Sequence, residues 1–76
     1  LAIPMQIESI EGFIARCQAK GVWRDVSLFM MQDEPPAVGD FVMVHTGYAR
    51  QKITAQAAHL EWELYDEMFA AMEGRG

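Results

Sequence analysis

The chain has 76 residues, of which 51% are hydrophobic, and 6 Lys and Arg stand against 11 Asp and Glu for a formal net charge of −5. That length is one domain, and a chain so short buries only roughly 60% of its unfolded surface. The six basic residues are scattered rather than clustered, so the counterion release that drives phosphate-backbone binding has no footprint here, and nucleic acid and anionic membranes are not expected partners.

Cys17 is the single cysteine, which rules out an internal disulfide and fits a reducing compartment. No apolar run approaches the ~20 residues of a membrane span. Pro4, Gln6 and Glu8 interrupt any apolar core of a leader at the start, so a cytoplasmic location is expected. Six methionines and two tryptophans in so small a body point to apolar surface left over for a protein partner.

In chain order, Ile3, Met5 and Ile7 alternate with Gln6 and Glu8 and predict a first strand, which Glu11-Gly12 ends in a turn. Phe13, Ala15, Cys17 and Ala19 alternate with Ile14, Arg16 and Gln18, the period-2 pattern of a half-buried second strand. Lys20-Gly21 predicts a tight turn. Val22, Arg24, Val26 and Leu28 then share one strand face, with Trp23, Asp25, Ser27 and Phe29 on the other. Residues 31 to 39 carry Pro35, Pro36 and Gly39 and read as a loop. Phe41 to His45 is a β-prone run, Gly47 breaks or bulges it, and Tyr48 to Ile53 continues as a fifth strand. Five short strands with close turns suggest a small barrel, whose closure removes reactive edges.

At Thr54 the period changes. Thr54 is a good N-cap, 55 to 73 contains neither Gly nor Pro, and Gly74 follows as a stop. The expected organisation is therefore a β-barrel over 1–53 and an amphipathic helix over 54–73 within one domain. Ala57, Leu60, Leu64, Met68 and Ala71 form one apolar stripe of that helix, and Ala58, Trp62, Tyr65, Phe69 and Met72 form a second. One stripe suffices to dock on a small barrel. The aromatic stripe, with Trp62, Tyr65 and Phe69, is then a candidate partner surface, although aromatics at helical spacing equally often pack as core.

Chemistry is sparse. The chain has no glycine-rich phosphate loop, no Cys-x-x-Cys, no His-Glu-x-x-His and no Gly-x-Ser-x-Gly, so an enzyme is not expected. Glu61, Glu63, Asp66 and Glu67 read as the wet face of the helix, with Glu61 between the apolar stripes, and His59 falls in the polar arc. Cys17 is in phase with small apolar residues and reads as a buried hydrophobe. His45 stands at a strand end beside Gly47, where an accessible imidazole can ligate a metal or move a proton.

Three segments together resemble a known family. Leu1-Ala2-Ile3-Pro4 opens the chain, Gly39-Asp40-Phe41-Val42-Met43-Val44-His45-Thr46-Gly47-Tyr48-Ala49 lies in the middle, and Lys52-Ile53 leads into the helix. This looks like the HypC/HupF family of hydrogenase maturation chaperones, whose start typically reads Met-Cys-Leu-Ala-Ile-Pro and whose centre reads Val-Gly-Asp-Tyr-Val-Leu-Val-His-Val-Gly-Phe-Ala. The resemblance covers most of the chain and includes Arg24-Asp25-Val26. It implies an OB-like barrel with a C-terminal helix, a HypD-like iron–sulfur partner, and a transient iron atom carrying cyanide and carbon monoxide. It also implies delivery of that unit to the hydrogenase large-subunit precursor, with no tightly bound cofactor in the isolated chain.

The family's functional group is the cysteine after the initiator methionine, a soft anionic donor suited to such iron. This chain begins at Leu1, directly after that position, and has Met5 where the family usually has glycine. By resemblance, Leu1, Ala2, Ile3 and Pro4 present the thiol, His45 is the candidate metal residue, and Gly47, Tyr48 and Ala49 complete a partner-binding corner. The expectation is that His45 lies near Leu1. The alternatives are a protein adaptor that carries no iron, and an oligonucleotide-binding barrel, which the acidic charge disfavours.

Overall fold

A computed structural model describes residues 2–73, with side chains described as far as Met68. Leu1, Gly74 and the side chains of Phe69, Ala71, Met72 and Glu73 lie outside the described residues, and with them the expected helix stop and the end of each apolar stripe. Five strands, β1 (Ile3–Glu11), β2 (Ile14–Ala19), β3 (Val22–Ser27), β4 (Phe41–His45) and β5 (Tyr48–Ile53), precede one helix, α1 (Ala55–Glu73). The strands close into a barrel in the order β1-β2-β3-β5-β4, with β4 returning to β1. All neighbours pair antiparallel except β3 and β5, which meet in parallel at Ser27 and Tyr48.

Closure of so small a barrel needs strands that bend. The registers shift between Ile7 and Ser9 in β1 and between Met43 and Val44 in β4, where an extra residue on one strand lets the sheet coil. The β2–β3 turn places both Lys20 and Gly21 at positive φ, and the β4–β5 turn does the same with Thr46 and Gly47. Two successive residues in that region define the tight hairpin turn whose twist matches the flanking strands.

The barrel interior holds Met5, Ile7, Ala15, Cys17, Val26, Leu28, Met31, Val42, Val44 and Ala49. Strand alternation supplies most of this set, as expected from the sequence. Phe13, Val22 and Met31 are among the positions that differ. Phe13 lies in the β1–β2 turn, 53% exposed, with its ring edge-on to Phe29 at 5.7 Å. Val22 is also exposed, because β1 pairs with β2 only from Gln6–Gln18 onward and the β2–β3 hairpin tip projects beyond that point. Met31, which the sequence assigns to a loop, closes the core from a short 3-10 turn over Phe29–Met31.

The helix begins as its capping chemistry requires. The amide of Ala57 donates to the Thr54 hydroxyl at 3.0 Å, and the amide of Ala58 donates to the Thr54 carbonyl at 3.0 Å. Ala58 is fully buried, and beneath the same helix face lie Phe41 and Pro4. A second small apolar layer thus forms outside the barrel. Trp62 and Tyr65 of the aromatic stripe dock, and Leu60, Leu64 and Met68 of the aliphatic stripe are left outside.

Candidate functional site

The first strand and the last helix meet around one unsatisfied edge. Pro4 pairs with Met43 of β4 but has no N–H, so this must be a non-hydrogen-bonded pair whose carbonyl turns away from β4. On that far side β2 has not yet begun to pair with β1. The Trp62 indole N–H fills the gap, donating to the Pro4 carbonyl at 2.7 Å. One strand repeat earlier, the Tyr65 hydroxyl donates to the Ala2 carbonyl at 3.3 Å. Side chains of α1 therefore do for this stretch of β1 what a neighbouring strand would do.

The ring of Trp62 is also held from the side. Phe41 lies at 5.8 Å and His59 at 5.4 Å, and His59 stands edge-on to Phe41 at 5.5 Å. His59 is exposed, as its place in the polar arc predicts, but it also packs on the aromatic layer. Beside this layer a groove of about 390 Å³ runs between the hairpin tip, β1 and α1, with Ile3, Met5, Ala19, Trp62 and Tyr65 among its walls. Lys20 at the hairpin tip and Asp66 of α1 form an ion pair across it.

The expected corner gathers at the same end of the barrel. Ile3 pairs with Val44, so the ladder stops one residue short of Ala2 on one strand and of His45 on the other. His45 in turn lies opposite Tyr48 across the two-residue turn, half-buried beside an exposed phenol. The proximity of His45 to Leu1 itself lies outside the described residues, as does the side chain of Phe69.

Four of the expected partner-contact residues have roles inside the molecule. Ala49 is fully buried, because alternation from the outward Tyr48 turns it into the core opposite Val44. Pro4 is buried beneath α1. Trp62 and Tyr65 are half-buried and spend their polar atoms on the first strand. The accessible part of the corner is therefore Ala2, Ile3, His45, Gly47 and Tyr48. The clamp made by Trp62 and Tyr65 was readable in principle: aromatic rings with one donor each, on a docking face, call for buried acceptors.

Cys17 takes no part in this corner. It is fully buried in the barrel, and its thiol is pushed up to about 11, by burial first and then by the carboxylates of Asp25 and Glu8. It stays protonated and is a poor nucleophile or ligand at neutral pH. No three His, Cys, Asp or Glu side chains among the described residues gather where they could hold a metal ion. His45 alone offers one imidazole, so a metal held here needs further donors from elsewhere.

Comparison with known proteins decides the family. The family model described as HupF/HypC family matches residues 1–65. The chain belongs to the HupF/HypC family. It is 32% identical over 74 residues to the hydrogenase maturation factor HypC of Helicobacter hepaticus, an alignment covering 96% of this chain and 85% of that protein. It is likewise 32% identical over 73 residues to the proteins of the same name from Escherichia coli K12 and Shigella flexneri, covering 91% of this chain and 81% of each. Family membership supports a role as a hydrogenase maturation chaperone, with protein partners in that process. No helix among the described residues is long and apolar enough to cross a membrane.

Proposed function

We propose that this HupF/HypC protein acts without catalysis of its own, in the cytoplasm, as a carrier in nickel–iron hydrogenase maturation. With a HypD-like iron–sulfur partner it holds an iron atom bearing cyanide and carbon monoxide, and it passes that unit to the hydrogenase large-subunit precursor. The iron is cargo. The observation that carries the reading is the register of β1 on β4, which brings Ala2 and Ile3 to the same corner as His45.

In this reading a soft thiolate preceding Leu1 is the principal iron donor, and His45 is a second donor or a proton-holding neighbour. Presentation from a chain end lets the metal change hands with little rearrangement of the barrel. Tyr48 and Gly47 on one side and Ile3 on the other form the surface that meets the partner. The clamp by Trp62 and Tyr65 holds the carbonyls of Ala2 and Pro4, which fixes the direction of the first strand at the end of the ladder where His45 also stands.

The test is co-purification of the full-length protein with a HypD-like partner and with a large-subunit precursor. Stable capture of both by the wild type, weakened by Tyr48→Asp, is the expected result. Failure to capture either protein contradicts the proposed function.

A further inference from the structure

The helix has a second face that the barrel does not use. Leu60, Leu64 and Met68 recur every fourth residue, which places them in one row along α1, and they are 57%, 52% and 59% exposed. Their neighbours around the helix, Ala58, Trp62 and Tyr65, are turned into the barrel contact. The row is therefore solvent-facing because the docking face is already filled. Three large aliphatic side chains along roughly two turns of helix are the spacing by which an amphipathic helix enters an apolar groove.

Charge says what kind of groove. Between Ala55 and Glu73 the helix contains no Lys or Arg, and the row is flanked by Glu63 and Glu67 on one side and Glu61 on the other. Asp66, the remaining carboxylate among the described side chains of α1, is already paired with Lys20. Glu61 has one carboxylate oxygen buried with no hydrogen-bond donor among the described residues, so the exposed acids beside the row are Glu63 and Glu67. Two copies of this face brought together would oppose acid to acid. A partner with basic groups at the rim would instead neutralise Glu63 and Glu67.

We propose that the outer face of α1, built on Leu60, Leu64 and Met68, docks into an apolar groove rimmed by Lys and Arg on a protein partner. This rests on the carrier reading above and places the docking ridge apart from the corner at His45. One molecule can then stay anchored through α1 while the corner exchanges its cargo.

The test uses the full chain with purified HypD-like protein and purified large-subunit precursor, measuring affinity for each. Leu64→Asp keeps a solvent-exposed position and leaves the barrel contact untouched, and circular dichroism checks its helix. The double variant Glu63→Lys/Glu67→Lys tests the charge independently, should the first variant lose its fold. The expected result is at least a tenfold loss with Leu64→Asp for one of the two partners. The charge-reversed pair should lose at least fivefold for that same partner, and wild-type binding should weaken as salt rises. Affinities within twofold of wild type for both partners overturn the proposal, as does tighter binding by the charge-reversed pair. A wild-type dimer in sedimentation that Leu64→Asp dissolves assigns the face to a second copy and overturns it equally. Absence of wild-type binding to both proteins sinks the carrier reading, and this surface with it.

Discussion

The indole N–H of Trp62 donates to the carbonyl of Pro4 at 2.7 Å, tying the helix to the first strand across 58 positions of sequence. Proline and tryptophan here are complementary. The residue without a donor leaves a strand edge that β4 and β2 do not complete, and the residue with a single ring donor completes it. Trp62→Phe keeps an aromatic ring but strands a buried carbonyl, and it should destabilise the protein by about 1–3 kcal/mol in urea denaturation. Tyr65→Phe removes a longer bond in a wetter place and should cost no more than about 1 kcal/mol. A cost for Tyr65→Phe exceeding that for Trp62→Phe contradicts this ranking.

Thr54 carries the start of α1 through its hydroxyl. Thr54→Ala should lower stability by about 0.5–2 kcal/mol, whereas Thr54→Ser should stay close to wild type. Thermal unfolding of the pair checks this, and equal midpoints for the two variants would show that the cap contributes nothing.

The β4–β5 turn depends on backbone freedom at Gly47, whose φ is +85°, with open space where a Cβ would stand. The cost of Gly47→Ala is then conformational alone, about 1–2 kcal/mol, and Gly47→Asn should recover part of it. Asparagine no better than alanine in equilibrium unfolding would mean that something other than the positive φ sets the requirement.

The thiol of Cys17 gives a pH dependence with a definite sign. Its folded value is raised from 9.0 to about 11, so the unfolded chain ionises first as pH rises. The contribution to stability is full below pH 9 and is lost as pH climbs through 11. The stability of wild type relative to Cys17→Ala should accordingly fall across that window, measured by urea denaturation at fixed pH values. A constant difference between the two proteins from pH 8 to 11 would contradict the burial account.

Much of the fold was legible because strand alternation and turn chemistry act locally. Met5, Ile7, Ala15 and Cys17 announce one barrel face and Lys20-Gly21 announces a hairpin, whereas Gly47, legible only as a break or bulge, forms a second tight turn with Thr46. What the pattern could not say was which of two apolar stripes on α1 would dock. That choice turns on Pro4 and the missing β2 partner beside it, a relation between distant segments that no local periodicity records. The exposed Val22 has the same origin, since its strand face is apolar in sequence but extends past the end of the barrel. His45 was legible only as a strand-end histidine. Its nearness to Ala2 comes from the β1–β4 register, and the burial of Ala49 comes from the β4–β5 register, which sets it opposite Val44.

The account is tested most directly by the iron content of a complex with a HypD-like partner, prepared with a Met-Cys extension before Leu1 and again with the chain starting at Leu1. Iron should be assayed together with the infrared bands of its cyanide and carbon monoxide ligands. Both forms should bind the partner, and only the extended form should raise the iron content and show the bands, with His45→Ala reducing or shifting them. Equal iron and equal band intensity in the two complexes would contradict carriage through a thiolate at this corner.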